Sequence, residues 1–135
     1  MNVLQRMLST HPHPAANSDR LSEVATHVAT CSQVCTSCAD ACLAEPMVAD
    51  LRHCIRLNLD CADVCAATSH VLIRQTETDP ALVQALLKAC LTACRLCAEE
   101  CSRHAAMHEH CRLCADHCRH CVELCEGLLE GMASD

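Results

Sequence analysis

The sequence predicts an all-α fold, an antiparallel up-down-up-down four-helix bundle with a short N-terminal helical segment. Three observations carry that expectation. Sixteen of the 135 residues are cysteine, and almost all recur three or four positions apart, the spacing that keeps side chains on one helical face. They divide into four sets, one on each of four long stretches free of internal proline, and no stretch reads as a strand. The links between these stretches are very short, which makes consecutive helices antiparallel neighbours.

The elements follow in order. Residues 1–10 form an amphipathic turn or two through Val3, Leu4, Met7 and Leu8, before His11-Pro12-His13-Pro14 imposes extended backbone. Residues 1–17 are thus an N-terminal segment, and residues 18–131 are the Cys-lined bundle. Asn17-Ser18-Asp19 offers N-cap oxygens to a first long helix that runs to about Leu43 and carries Cys31, Cys35, Cys38 and Cys42. Glu45-Pro46 starts the second, since proline is tolerated at the first helical position, and the pattern continues to about Gln75 through Cys54, Cys61 and Cys65. Thr78-Asp79-Pro80 opens the third in the same way, with Cys90, Cys94, Cys97 and Cys101. Only the stretch from His104 to His110 parts it from the fourth, which bears Cys111, Cys114, Cys118, Cys121 and Cys125 and stops at Gly131.

At 3.6 residues per turn the first and third sets each span about 60° of arc and the last about 80°. Each helix therefore carries one thiol seam facing the bundle axis. Opposite the first seam stand Thr26, Thr30, Gln33, Ser37 and Asp40, a solvated face. A second apolar stripe, Leu51, Ile55, Leu59, Ala62, Ala66 and Ile73, is turned about 100° from the thiols of the second helix and packs on a neighbouring helix or a second subunit. With no Phe, Tyr or Trp, the interior is filled by Leu, Val, Ile, Ala and sulfur.

Several function classes fall away. The N-terminus lacks an apolar run of signal-peptide length, so a cytoplasmic location is the default, and charged residues interrupt every helix before a membrane span is reached. A formal charge of −7 without a basic cluster argues against nucleic acid. No Ser/His/Asp set and no inward carboxylate pair marks an enzyme.

The thiols carry the chemistry. As ordinary small apolar residues, a few inward cysteines need no explanation, but sixteen in register do. Disulfides within one helix are hard to close because Cys(i) and Cys(i+4) have nearly parallel Cα–Cβ vectors, and the cytosol is reducing. Cys94-Arg95-Leu96-Cys97 matches C-x-x-C without the βαβ context of a thioredoxin-like site. Thiolate-only ligation selects Cu(I), Zn²⁺ or iron–sulfur clusters, and C-x₃-C-x₂-C-x₃-C departs from the ferredoxin run. Zinc prefers isolated tetrahedra of two loop-borne knuckles. A continuous line of thiolates on rigid helices suits a metal of low coordination number, and one Cu⁺ per thiolate would neutralise an interior in which each bare buried anion costs several kcal/mol. The expected cargo is multiple Cu(I) ions. A zinc or mixed thiophilic-metal buffer, and a thiol redox reservoir, use the same residues and stay open.

His104 and His108 continue the third seam beyond Cys101, with Met107 and His110 in the same turn and Met47 at the same end. Imidazole and thioether at one mouth of a thiolate tube suit Cu(I) capture and relay. His117 lies on the flank of its helix and His120 opposite the thiols, while His11 and His13 belong to the proline segment.

The repeated C-x₃-C-x₂-C-x₃-C of Cys31 to Cys42 and of Cys90 to Cys101, with thiols along all four helices, resembles the bacterial cytosolic copper storage proteins over residues 18–131. That resemblance implies a homotetramer of four-helix bundles, many Cu(I) ions held by Cys pairs within or between helices, and histidines at the open end. Copper ions are then the principal partner, with a copper chaperone or efflux system as the class of protein that would exchange them. Asn58, at a seam position between Cys54 and Cys61, breaks the regular pattern.

Overall fold

The computed structural model describes residues 2–133; side-chain caps fix some of its helix starts, whereas Asn17, the expected cap of the first long helix, makes no side-chain capping bond. Helix α1 (Val3–Ser9) opens with a capping box in which the Asn2 side chain accepts from Gln5 N and the Gln5 side chain accepts from Asn2 N. Helix α2 (Ser18–Ala44) follows. Its C-cap, Glu45, is extended because the residue before a proline disfavours the helical region.

Pro46 does not open the next helix. The chain first makes a 3-10 turn, Val48–Leu51, which seats Leu51 fully in the core, and only then enters α3 (Arg52–Leu72). The second long helix is therefore shorter at both ends than its sequence suggests. By contrast, α4 (Pro80–Arg103) starts where expected, with Asp79 Oδ1 accepting from Ala81 N at 2.9 Å and proline in the first turn. Helix α5 (Glu109–Ala133) continues through Gly131. A glycine stop requires left-handed backbone, and neither glycine has positive φ.

Helix α2 packs on α3, α3 on α4, α4 on α5, and α5 closes back on α2, while α1 lies on α2. Sulfur contacts report the directions. Cys61 meets Cys94 and Cys65 meets Cys90, and on the other side Cys31 meets Cys118 while Cys35 meets Cys114, so both pairs of helices run antiparallel. Thr26, Thr30, Gln33, Ser37 and Asp40 are exposed, as their face predicts. In the second apolar stripe Leu51 and Ala62 are buried, Ile55, Ala66 and Ile73 are half-buried, and Leu59 is exposed.

The two ends of the bundle differ. At one end Val24, Val28, Leu72, Val83, Leu87, Leu124 and Leu128 form an apolar plug. The N-terminal segment is tied to this end: Gln75 Nε2 donates to Leu8 O at 3.1 Å, Ala15 N donates to Gln75 Oε1 at 2.8 Å, and His11 Nε2 lies 3.0 Å from Thr76 Oγ1. At the other end, the α2–α3 and α4–α5 links bring Glu45, His104, His108 and His110 together over the last thiols. Helix α4 is long and apolar enough to cross a membrane by composition alone. Its buried face, Val83, Leu87, Cys90, Cys94, Cys97, Ala98, Glu100 and Cys101, is its share of the bundle core.

Candidate metal centre

All sixteen cysteines are buried free thiols. The i, i+3, i+4 spacing on each helix turns every one inward, and the antiparallel packing interleaves the four seams into one run of sulfur. Within it, Sγ–Sγ contacts range from 3.6 Å at Cys54–Cys101 to 4.0 Å at Cys42–Cys111. Several are intrahelical, such as Cys31–Cys35 and Cys97–Cys101, each at 3.9 Å. Others cross between helices, such as Cys65–Cys94 at 3.6 Å and Cys35–Cys118 at 3.7 Å.

Groups of four sulfurs lie close enough to share an ion. One is Cys35, Cys97, Cys114 and Cys118; another is Cys31, Cys35, Cys61 and Cys118; a third is Cys31, Cys61, Cys65 and Cys94. Consecutive groups share two members, so tetrahedral ions cannot fill them all without thiolates that bridge.

Asn58 sits inside this run with no exposure. Its Oδ1 accepts from the thiols of Cys97 at 3.0 Å, Cys114 at 3.3 Å and Cys101 at 3.6 Å, and its Nδ2 donates to Cys54 Sγ at 3.7 Å. The amide thus joins three helices where a thiol is missing, and each of its polar atoms is engaged.

The mouth is built from two links. His110 Nδ1 is 3.5 Å from Cys38 Sγ and 3.6 Å from Cys111 Sγ, and with Cys42 these residues form a mixed nitrogen and sulfur group. The other nitrogen of His110 lies 3.1 Å from Glu45 Oε2, and the same oxygen is 2.6 Å from His108 Nδ1. The two imidazoles stack with centroids 5.4 Å apart. His108 is 7% exposed and its Nε2 has no hydrogen-bond partner. A buried imidazole nitrogen without a partner, on a ring fixed by a carboxylate at the opposite nitrogen, is how a metal-binding histidine is oriented. Across the mouth, His104 Nε2 is held at 2.9 Å by Glu100 Oε2.

Charge in the mouth is uneven. Hydrogen bonds from Cys101 and Cys54, with a smaller share from His110, lower Cys38 to about 6. Burial opposes charge on His110, but its contacts with Cys38 and Glu45 outweigh that and raise its pKa. His110 and His108 in turn lower Glu45. Deeper thiols of the same group, Cys42 and Cys111, are raised, chiefly by burial. Within this group of four, the lowered thiol of Cys38 beside His110 is the sulfur that most readily exchanges its proton for a soft cation.

Of the residues the sequence singles out, the structure brings His104, His108 and His110 to the mouth beside Cys38, Cys42, Cys54, Cys101 and Cys111. Met107 stands apart at 65% exposure, because the turn that directs His104 and His108 inward leaves the residue between them in solvent. Met47 is half-buried at the same end. The sequence reading missed Glu45 and Glu100, the carboxylates that orient the histidines. Glu100 has a signal, an acid four residues before His104 beside an inward cysteine; Glu45 meets its histidines only through the fold.

Relatives agree with this architecture. Residues 17–130 match the model of the copper storage protein family. A copper storage protein, Ccsp, from Streptomyces lividans, loaded with 10 copper equivalents, is 47% identical, covers 96% of this chain and 99% of its own, and superposes with a TM-score of 0.93. A five-copper structure of a cytosolic copper storage protein from Streptomyces lividans is 52% identical over 83% of this chain and 93% of its own, with a TM-score of 0.82. The Bacillus subtilis (strain 168) cysteine-rich protein YhjQ is 34% identical over 98 residues, 73% of this chain and 85% of its own. With the family model spanning all sixteen cysteines, the chain belongs to the copper storage protein family.

Proposed function

We propose that the chain is a cytosolic Cu(I) store that holds many ions on its sixteen inward thiols, admits them at the histidine mouth and catalyses no reaction. The observation that carries this reading is the long run of buried sulfur, whose four-thiol groups overlap. Overlap favours an ion that accepts bridging thiolates at low coordination number. A singly charged ion also leaves the core neutral at one per thiolate, whereas isolated Zn²⁺ sites of four thiolates would each retain two negative charges. The described copper-loaded relative is cytosolic, which supports the same compartment here.

On this reading copper meets the free Nε2 of His108 and the rim imidazoles of His104 and His110, transfers to Cys38, Cys42 and Cys111, and moves inward by exchange between neighbouring sulfurs. The apolar plug stops it at the far end. X-ray absorption of anaerobically loaded protein tests the site: sulfur-dominated copper with short copper–copper vectors is expected, and a shell of nitrogen and oxygen would overturn the reading. Replacing His104 and His108 together with alanine should slow loading more than it lowers capacity; an unchanged loading rate would remove the mouth from the account.

A zinc buffer is the second reading, favoured by the four-sulfur groups that a tetrahedral ion could occupy singly. We also propose that the chain self-associates, with Leu59, 46% exposed on the second stripe of α3, in the contact. Sedimentation of a clean monomer would contradict that.

A further inference from the structure

The wall between α2 and α5 holds a second set of ligating side chains, away from the mouth. His27 of α2 meets His120 of α5 edge to face, with ring centroids 4.7 Å apart, and lies 6.0 Å from the ring of His117. Burial deepens inward. The His120 side chain is 49% exposed, His27 and His117 are half-buried, and Cys31 and Cys121 have no exposure. At the inner end, His117 Nδ1 is 3.7 Å from Cys121 Sγ, and one ring nitrogen of His117 and the sulfurs of Cys31 and Cys121 all lie within 4.8 Å of one another.

Cys31 belongs to the central sulfur run, 3.7 Å from Cys118 and 3.9 Å from Cys35. Cys121 is fixed to the wall by donating to the His27 carbonyl at 3.5 Å. Glu123 Oε2, 3.9 Å from His120 Nδ1, adds negative charge at the outer end. The place is distinct from the mouth: seven residues of α5 separate His117 from His110, roughly 10 Å along the axis. A solvated helix face accounts for one exposed histidine. It does not account for three imidazoles from two helices aligned from solvent to a pair of buried thiols.

We propose that His27, His117 and His120 form a lateral Cu(I) site in the bundle wall, through which copper exchanges with the middle of the store independently of the mouth. The inference rests on the storage reading above. Neutral imidazole nitrogen and thiolate sulfur are both Cu(I) ligands. In the inward step a copper–nitrogen bond at His117 is replaced by a copper–sulfur bond at Cys121 or Cys31, and the thiol proton passes to the vacated imidazole. The outward step is the reverse, and copper stays Cu(I) throughout. For a tube plugged at its far end, a side port shortens the path by which the innermost ions leave.

The test compares four proteins loaded anaerobically with Cu(I): the parent, the His104→Ala/His108→Ala mouth variant, a His27→Ala/His117→Ala wall variant, and the combination. Capacity and the rate of copper withdrawal by a chromophoric Cu(I) chelator are measured in each. The wall variant should keep its capacity and release copper severalfold more slowly, and the combination should be slower than either parent variant. Withdrawal by the wall variant at the parent rate, with the mouth intact and with it removed, would overturn the port. His117→Met, which keeps a soft Cu(I) ligand, should preserve the rate where His117→Leu slows it; equal rates for these two would assign His117 a packing role and also overturn the proposal. Failure of the parent to take up many ions would sink the storage reading instead, a distinguishable result.

Discussion

Asn58 shows how a single residue departs from the thiol pattern without breaking the core. An amide at a fully buried seam position would be costly unsatisfied, yet its oxygen accepts from Cys97, Cys114 and Cys101 and its nitrogen donates to Cys54. Asn58→Ala should therefore cost the apo protein about 1–2 kcal/mol, from lost bonds and a small void, read as a lower denaturant midpoint at unchanged slope. Cys97→Ser should instead leave the apo fold intact, since a hydroxyl can donate to the same Asn58 oxygen, and should lower Cu(I) capacity by about one or two ions. Collapse of that variant would refute a core of neutral, interchangeable thiols. The sulfur positions were legible in the sequence because helical periodicity alone turns them inward. Glu45 was not, because its partners, His108 on the other link and His110 in the first turn of α5, are distant in sequence, and no local pattern joins them.

The α3–α4 link illustrates how far local rules determine the elements. Asp79 caps α4 with proline behind it, as the sequence predicts, and Asp79→Ala should cost about 1 kcal/mol. Two residues earlier Glu77 has a φ of 52°, left-handed backbone that disfavours a side chain, so Glu77→Gly should stabilise by up to about 1 kcal/mol. Thermal unfolding of the two variants should move in opposite directions. At the other link the same proline rule misleads. Pro46 follows an extended Glu45, and the chain needs a further 3-10 turn to seat Leu51 before α3 can begin, a demand set by packing rather than by capping. Gly131 misleads in the same way, since nothing at that position turns the backbone left-handed and α5 runs on.

At the scale of the whole molecule, the bundle is a tube with unlike ends, an apolar plug braced by the N-terminal segment and a mouth of imidazoles and carboxylates. Neutral thiols pack as small apolar groups, so the fold does not require metal, and chelators should strip the ions without unfolding the chain. Loading must then displace thiol protons. Titrating Cu(I) into weakly buffered apo protein should release close to one proton per ion. Binding should accordingly weaken as pH falls, and loading without acidification would mean that the core thiols are already ionised. The most direct measurement is an anaerobic Cu(I) titration of reduced apo protein against a competing chelator, followed by thiolate-to-copper charge transfer. Tight binding that saturates near one Cu(I) per cysteine, about sixteen ions, is the predicted result. Saturation at roughly four ions, or ready loss to the chelator, would contradict the account and leave a zinc buffer in its place.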